Sequence, residues 1–481
     1  MNQGEHVRNL RWLSTLAAIV VVASACGRSG GGTASSTTPQ SSSTQTTAPS
    51  GGTFGDLTNV CGPAPAGTTL TATDAGVTAK SVQISTVSDP GFVGRPGLNQ
   101  ELFDTATAFS KWCNAQGGIA GRQITLKLRD AKLTQFQQVA IQACAEKDFM
   151  MVGGGAVFDD QGQSTRLGCN LPTVAGYVVT PQASGADLTY QPVPNPVGTL
   201  SIGDFKWLTT KYPDAVKKVA IMTGSIPTTV LVANRYEEAI KSLGWTVVKK
   251  IVYNAAGEPS WRPDAEAVKQ SGAKALIWVG EPTFFGTMLK TFNDIGYKLD
   301  FARMDANGYD PGLIANAGAG ASGIAYIRSV FHPFLTADDA KGDPATQKYQ
   351  EIVHQYVGSK GKIAYLGVQG LSGWLLFAKA ATECGANLTR DCVWANIGKI
   401  TTWTGGGLHA PQDVATQKPG DCFAMEQVQG AKFVLAPINP NQGIYSCDPS
   451  VLFTLKGNYG TGTKCPNPAY ASDPKPSNCA K

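Results

Sequence analysis

Residues that could carry out catalysis are sparse in this 481-residue chain. It contains no H-E-x-x-H and no G-x-x-x-x-G-K-[ST] motif. A G-x-S-x-G match at 27–31 lies in a Gly-rich stretch with no strand before it or helix after it, so it is a chance match. Beyond residue 26, His332, His354 and His409 lie far apart in sequence, and no C-x-x-C accompanies them. We therefore expect no enzyme, no metal and no cofactor.

Cysteine supplies the remaining chemistry, and its count of 11 is odd. Arg8 and Arg11 precede an apolar run over 12–22, which is short for a membrane span and typical of an export signal. Small residues at 23–25 then lead directly to Cys26, which resembles the lipobox of bacterial lipoproteins. The resemblance implies that Cys26 is lipidated and becomes the mature N-terminus. The other interpretation is an ordinary signal cut nearby, with Cys26 a stray thiol.

Residues 27–55 are almost wholly Gly, Ser, Thr, Gln and Pro. Such a segment has no apolar surface to offset the entropy of ordering, so we predict a flexible tether between membrane and folded body. Export also places the ten other cysteines in a compartment that permits disulfides. The net charge of +5 is weak and evenly spread, which argues against a nucleic-acid partner.

Strand and helix patterns alternate after residue 80, which predicts parallel sheets with helices on both faces. The first unit, roughly 80–195, has predicted strands at 81–88, 123–129, 149–152 and 172–175 and predicted helices at 102–112 and 133–146. The second unit, roughly 196–330, has predicted helices at 205–211, 232–243, 264–271 and 284–295 and predicted strands at 218–222, 245–253, 273–279 and 301–304. Two more predicted helices follow at 344–357 and 367–383, and short strand-like pieces at 421–427 and 432–436.

The segment 114–122 (NAQGGIAGR), followed by QITLKLRD, resembles a signature of type 1 periplasmic-binding proteins. More narrowly, it resembles the leucine-binding-protein-like, branched-chain-amino-acid-type solute-binding proteins of ABC transporters. The match is one of order and spacing across about 80–455. Further segments in the expected order are the glycines at 153–155, LPTV at 171–174, KVAIM at 218–222 and GAKALI at 272–277.

The resemblance implies an α/β fold of two doubly wound, Rossmann-like lobes joined by three crossing strands, known as the Venus-flytrap arrangement. The ligand sits in the cleft, and the lobes close on it by a hinge. The chain then divides into a lipoprotein signal peptide (1–25), a lipidated Cys with a flexible linker (26–56), a first part of lobe 1 (57–197), the main part of lobe 2 (198–330), a second part of lobe 1 (331–405) and a completion of lobe 2 with a disulfide-rich tail (406–481).

The ten cysteines are expected to form five disulfides. The family often bridges the helix that holds Cys144 to the segment after the next strand, which implies a Cys144–Cys169 bond. Cys384 and Cys392 flank a short loop after a helix and predict a local bridge. Sequence alone does not fix the other pairs. Pairing in sequence order gives the candidates Cys422–Cys447 and Cys465–Cys479 and leaves Cys61–Cys113.

In doubly wound sheets, ligands contact the loops at the carboxyl ends of the strands. The family's amino-acid binders usually place Ser or Thr in the loop that corresponds to 155–161, but here it reads GAVFDDQ and offers Phe158 and Asp159. The next loop carries Tyr177 where small residues and a Thr are expected, and Thr228 aligns near a Tyr common in lobe 2. Phe158 and Tyr177 either sandwich an aromatic or apolar ligand or belong to the lobe core. Asp159 either faces the ligand or caps a helix.

Glu281 stands where an acidic residue can face a ligand ammonium; alternatively it is a helix N-terminal Glu before Pro282. Asn307 and Tyr309 follow the predicted strand at 301–304 and either line the cleft or form a turn. Phe92 either covers the ligand from the first loop or belongs to an ordinary surface turn.

These features predict an extracytoplasmic solute-binding lipoprotein, a monomer anchored to the outer face of the bacterial cytoplasmic membrane. It would deliver a small molecule to the permease and ATPase subunits of an ABC importer, with ligand contacts favouring the closed state. The first candidate ligand is an amino acid or related small carboxylate. The alternatives are an aromatic or more apolar organic solute, a sensory lipoprotein without transport, and an extracellular hydrolase.

Overall fold

Two sheets of mostly parallel strands organise the part of the chain that the computed structural model describes, residues 52–466 and 476–479. Cys26, the predicted signal peptide and most of the predicted tether lie outside these residues. Within them, no helix combines the length and the apolar character needed to cross a bilayer.

An antiparallel hairpin of β1 (Gly52–Phe54) and β2 (Leu57–Cys61) begins the described structure. This corrects the predicted linker, which extended to residue 56. Phe54 is fully buried, and its ring meets that of Trp112 edge-on at a centroid distance of 5.8 Å. Burial of this large aromatic side chain provides the apolar contact that the preceding Ser/Thr-rich sequence lacks.

The first sheet and its helices follow in the chain as β3 (Ser81–Ser88), α1 (Gln100–Ala115), β4 (Gln123–Asp130), α2 (Phe136–Ala145), β5 (Met150–Val152), α3 (Gln163–Gly168), β6 (Thr173–Val174), α4 (Pro181–Ser184) and β7 (Thr189–Tyr190). All five strands are parallel, in the order β4-β3-β5-β6-β7. The predicted helix at 133–146 starts late because Leu133 has a positive φ of 75°. The Asp89 carboxylate holds this turn by accepting the Leu133 N–H at 2.8 Å.

The second sheet is assembled from a longer stretch of chain. The chain enters this region with β8 (Thr199–Ser201), which is not a strand of the second sheet. The elements that follow are α5 (Gly203–Lys211), β9 (Val219–Gly224), α6 (Pro227–Ser242), β10 (Val247–Tyr253), α7 (Arg262–Gln270), β11 (Ala275–Val279), α8 (Pro282–Asp294), β12 (Phe301–Met304), α9 (Pro311–Ala317) and β13 (Ala325–Ser329). Strands β10-β9-β11-β12-β13 are parallel neighbours. Both β9 and β11 are buried at every position, which is why their sequences are continuous apolar runs.

The chain then returns to the first sheet with α10 (Pro344–Tyr356), α11 (Tyr365–Thr382) and α12 (Arg390–Ile397). Arg122 donates to the carbonyls of Gly385 and Ala386, and Arg390 donates to the Phe149 carbonyl at 2.8 Å. The sequence patterns did not predict α12, which Thr389 begins as an N-cap by accepting the Cys392 N–H. We call the first sheet with α1–α4 and α10–α12 lobe 1, and the second sheet with α5–α9 lobe 2.

The C-terminal strands are β14 (Cys422–Gln429), β15 (Lys432–Leu435), β16 (Ser446–Cys447) and β17 (Leu452–Thr454). Strand β14 runs antiparallel to β13, and β15 and β16 both pair with β14. Strand β17 pairs with β8.

Three segments pass between the lobes, at about 191–198, 330–343 and 403–421. The second and third are hydrogen-bonded, since Ala410 N–H donates to Val330 O at 2.8 Å and His332 N–H to Leu408 O at 2.9 Å. Gln417 links the third to the first by accepting the Gln191 N–H.

The ten cysteines within the described residues form five disulfides, in the same pairs as the predicted ones: Cys61–Cys113, Cys144–Cys169, Cys384–Cys392, Cys422–Cys447 and Cys465–Cys479. Each closes a loop within the chain, so each restricts the unfolded ensemble.

We expect the cost of removing a disulfide to follow the length of the loop it closes. The Cys61–Cys113 loop has a sequence separation of 52, against 8 for Cys384–Cys392. Loop-closure entropy then gives losses of about 4 and about 2.5 kcal/mol in the free energy of unfolding for the paired Cys→Ser variants. Urea unfolding of both variants measures this, and a larger loss for the Cys384/Cys392 pair would contradict it.

Candidate functional site

The carboxyl ends of strands from both sheets carry the loops of the candidate site. Loops after β3, β5 and β6 come from lobe 1, and loops after β9, β11 and β12 come from lobe 2. The residues that the sequence predicted for ligand binding lie in these six connections or, for Thr228, in the first turn of the helix that follows: Phe92, Phe158, Asp159, Tyr177, Thr228, Glu281, Asn307 and Tyr309.

An ion pair joins the two walls of this cleft. Arg95, in the loop after β3, contacts the carboxylate of Glu281, in the loop after β11. Their side chains are 45% and 35% exposed, so the pair is accessible to solvent. Pairs of this kind contribute about 0–1 kcal/mol, which makes the partners easy to exchange.

The backbone around Glu281 explains why its carboxylate faces the cleft. Glu281 is the residue before α8, has extended backbone angles and makes no side-chain cap, and Pro282 begins the helix. Its carbonyl accepts the indole N–H of Trp278 at 3.2 Å, which fixes the main chain. Glu281 is therefore at a helix N-terminus and pairs with Arg95 of the other lobe, while its contact with a ligand ammonium stays a prediction.

Asp159 is buried and binds the neighbouring loop of its own lobe. Its carboxylate accepts the N–H groups of Val179 at 2.7 Å and Thr180 at 3.0 Å, and the Thr180 hydroxyl at 2.5 Å. Thr180 in turn caps α4. Burial raises the pKa of Asp159 to about 7 and outweighs these hydrogen bonds, which lower it. Asp159 thus holds the loop after β6 in place, a role that the sequence did not predict.

Asp89 performs the same task for the loops after β4 and β5. It is fully buried, and its two oxygens accept the N–H groups of Leu133 at 2.8 Å and Val157 at 2.9 Å. Burial is also the main cause that raises the pKa of Asp89. Backbone N–H groups of three lobe 1 loops are therefore paired with carboxylates of the protein itself.

Aromatic side chains form the rest of the lobe 1 wall. The Tyr177 hydroxyl accepts from the Asn99 side chain at 2.9 Å, and burial raises the Tyr177 pKa well above its usual value. Phe92 and Phe158 are half-buried, whereas Val93 at the tip of the first loop is 91% exposed. A cavity of about 30 Å³ behind Tyr177, Asp159 and Arg166 has room for an ordered water but not for an amino acid.

Tyr309 was predicted as a ligand-binding residue on the lobe 2 wall, but the structure places its side chain elsewhere. That residue is 2% exposed, and its ring lies between those of Phe334 and Phe433, at centroid distances of 5.0 and 4.7 Å. Tyr309 therefore belongs to the hydrophobic core, because its loop turns the ring away from solvent. Asn307 is exposed and donates to the Gly280 carbonyl at 2.9 Å, while Thr228 lies nearly buried in the first turn of α6.

A Ser–His pair lies outside the cleft. Ser372 donates to His409 Nε2 at 2.7 Å and accepts the indole N–H of Trp403 at 2.9 Å, while His409 Nδ1 faces the Ala410 carbonyl. Burial lowers the pKa of His409 to about 4. Both residues are inaccessible to a substrate, and no carboxylate orients the imidazole, so the pair ties the third crossing segment to α11.

Arg95 was not among the residues that the sequence predicted at the cleft, although it lies in the same loop as Phe92. A charged side chain between glycines in such a loop was the available signal. Among the described residues, no group of three or more His, Cys, Asp or Glu side chains is arranged to hold a metal ion.

The family model described as "Periplasmic binding protein" matches residues 97–432. A branched-chain amino acid ABC transporter protein from Thermus thermophilus with bound valine has a TM-score of 0.62 at 15% identity, covering 74% of this chain and 96% of that chain. A leucine-binding protein from Thermotoga maritima has a TM-score of 0.59 at 16% identity, covering 74% and 99%. A fatty acid ABC transporter substrate-binding protein from Thermomonospora curvata also has 0.59 at 16% identity, covering 77% and 96%. No curated protein matches the chain in sequence.

We expect Asp159→Asn to change how stability depends on pH. The unfolded chain releases this proton near pH 4, whereas the folded state keeps it to about pH 7. The wild-type free energy of unfolding therefore falls relative to the variant as pH rises between these values. Urea unfolding of both proteins at several pH values from 4 to 8 measures the difference. A difference that does not vary with pH would show that Asp159 is already ionised when buried.

Proposed function

Because this chain belongs to the periplasmic-binding-protein family, we propose that it is the extracytoplasmic solute-binding component of an ABC importer. It binds a small molecule between its lobes and delivers it to a permease. Closure follows because ligand contacts from both walls are available together only when the lobes are near each other. The folds shared with transporter binding proteins support this proposal.

The ion pair between Arg95 and Glu281 is the observation that carries the proposal. It places one cation and one anion on opposite walls of the cleft, with both side chains accessible. An α-amino acid carries the complementary charges, so its carboxylate takes Arg95 and its ammonium takes Glu281. Arg95 also supplies the carboxylate partner that the loop at 155–161 lacks, since that loop has no Ser or Thr. The proposed ligand is therefore an amino acid or a related small carboxylate.

An aromatic or more apolar organic solute is the second candidate. Half-buried Phe158 and Tyr177 favour it, together with the apolar side chains of Val157, Val178 and Val179 nearby. The structural relatives support a wide range of ligands, since they include a valine-bound protein and a fatty acid transporter protein. A sensory role without transport would use the same cleft.

The proposed anchor is a lipid on Cys26, followed by a flexible tether to residue 51. We expect the full chain, expressed in a bacterial host, to incorporate labelled fatty acid and to sediment with membranes. Cys26→Ser should abolish both, while Cys61→Ser, at a cysteine of the folded body, should still incorporate label. Labelling of Cys26→Ser would contradict lipidation at this site.

Thermal-shift screening of the chain from residue 27 onward tests the ligand class. A true ligand at about 100 times its Kd adds about 2.7 kcal/mol to the free energy of unfolding. We expect an amino acid to produce this stabilisation. Glu281→Gln and Arg95→Gln should each weaken its binding about ten- to hundredfold, because each variant loses a charge-assisted hydrogen bond to the ligand.

Lys290→Gln is the matched control, because Lys290 forms an exposed ion pair with Asp294 on α8 itself. It should leave the Kd unchanged. The amino-acid proposal would be overturned in favour of the second candidate if only aromatic solutes raised the melting temperature. That rise should then be lost in Phe158→Ala and kept in Arg95→Gln.

A further inference from the structure

The C-terminal tail makes contacts that a simple completion of lobe 2 would not make. After β17 has paired with β8, residues 456–466 leave lobe 2 and run onto lobe 1. We call residues 456–466 the strap. They lie beyond the residues that match the family model, which end at 432.

The lobe 2 end of the strap is held mainly by one carboxylate, with a further bond of 3.3 Å from the Tyr459 hydroxyl to Asn234 O. Glu238, on α6, accepts the N–H groups of Lys456 at 2.5 Å and Gly457 at 3.0 Å, and the Tyr459 hydroxyl at 2.7 Å. These donors hold the pKa of Glu238 below its usual value. The strap is thus bound to α6, whose first turn lies at the cleft.

The lobe 1 end is held by backbone and side-chain bonds around α4. Thr463 N–H donates to Gln182 O, and Asp187 N–H donates to Thr463 O, both at 3.0 Å. Asp187 is 1% exposed, and its carboxylate accepts the Cys465 N–H at 2.8 Å and contacts the Lys464 ammonium at 3.3 Å.

Close packing and a disulfide secure the same end. A Cβ added to Gly462 would lie 1.9 Å from the Gly185 carbonyl carbon, so only glycine permits this approach of two backbones. Cys465 is bonded to Cys479, whose N–H donates to the Asn170 side chain at 2.8 Å. Both cysteines are buried.

We propose that the strap is a fourth connection between the lobes and limits how far they open. Tyr459 is held by lobe 2 and Thr463 by lobe 1, so four residue steps span the two attachments. A fully extended chain of that length reaches about 14 Å. Wider separation of α6 and α4 requires one end of the strap to detach. The inference goes beyond the proposed function and needs no ligand, so it can fail without affecting that function.

The test releases each end of the strap separately by substitution, in the ligand-free chain from residue 27 onward. Glu238→Ala removes the carboxylate that holds Lys456, Gly457 and Tyr459, so the strap is free back to β17, and Gly462→Val displaces the lobe 1 attachment. Gly168→Val is the matched control, since a Cβ at Gly168 meets nothing within 4 Å. Small-angle scattering gives the radius of gyration, and amide exchange of Val179 and Thr180 reports the cleft loop next to α4.

We expect each of the two variants to increase the radius of gyration and to speed exchange at these two amides by about tenfold. The control should change neither quantity. The double variant should equal the larger single one, because a connection in series is lost when either end is released. A stop codon in place of Gly457 should have the same effect, which keeps the test valid if Gly462→Val fails to fold. The proposal would be overturned by additive effects of the two substitutions, or by an unchanged radius of gyration after the truncation.

Discussion

Parallel pairing of strands is the constraint on which the rest of this structure depends. A parallel sheet needs a crossover between neighbouring strands, so helices cover both faces and every strand points its carboxyl end to the same edge. The first sheet obeys this throughout, and the second does so from β10 to β13. The loops at those edges are therefore the place where polar side chains from distant parts of the chain meet. The candidate site follows from this topology before any particular side chain is considered.

Within the site, buried carboxylates fix the loops in place, as backbone hydrogen bonds between strands fix the sheets. Asp89 and Asp159 each accept backbone donors from loops that no strand holds, and each is desolvated in doing so. Burial of these groups is costly, which is seen in their raised pKa values, but it fixes the loops against the lobe. It also leaves these backbone N–H groups paired with the protein's own carboxylates. The cation that remains exposed at this wall is on a separate loop, at Arg95.

The sequence predicted the features that depend on periodicity and order. Alternating patterns located the strands β3 and β4, and short apolar runs located β9 and β11. Cysteine order or close spacing gave four candidate disulfides, and the family resemblance implied the Cys144–Cys169 bond; the structure forms all five. Features set by single tertiary contacts were not predictable in the same way. Helix α2 is shortened by a hydrogen bond from Leu133 to Asp89, Tyr309 turns into the core between two Phe rings, and Phe54 orders a segment predicted to be linker. In each case the contacting residue is remote in sequence, so the local composition does not indicate the contact.

The proposed zwitterionic ligand agrees with the charges at the cleft on energetic grounds. Because their ion pair is accessible to solvent, Arg95 and Glu281 gain little from each other and lose little when they part. Closure around a ligand removes water, and an unpaired charge in that setting is costly. A neutral solute that entered between them would separate the pair and replace neither partner. A zwitterion brings one opposite charge to each residue, so the number of ion pairs rises while both desolvated groups remain satisfied. In this proposal the ligand substitutes for the partner of each residue, so replacing the ion pair by a bound zwitterion leaves neither charge unpaired.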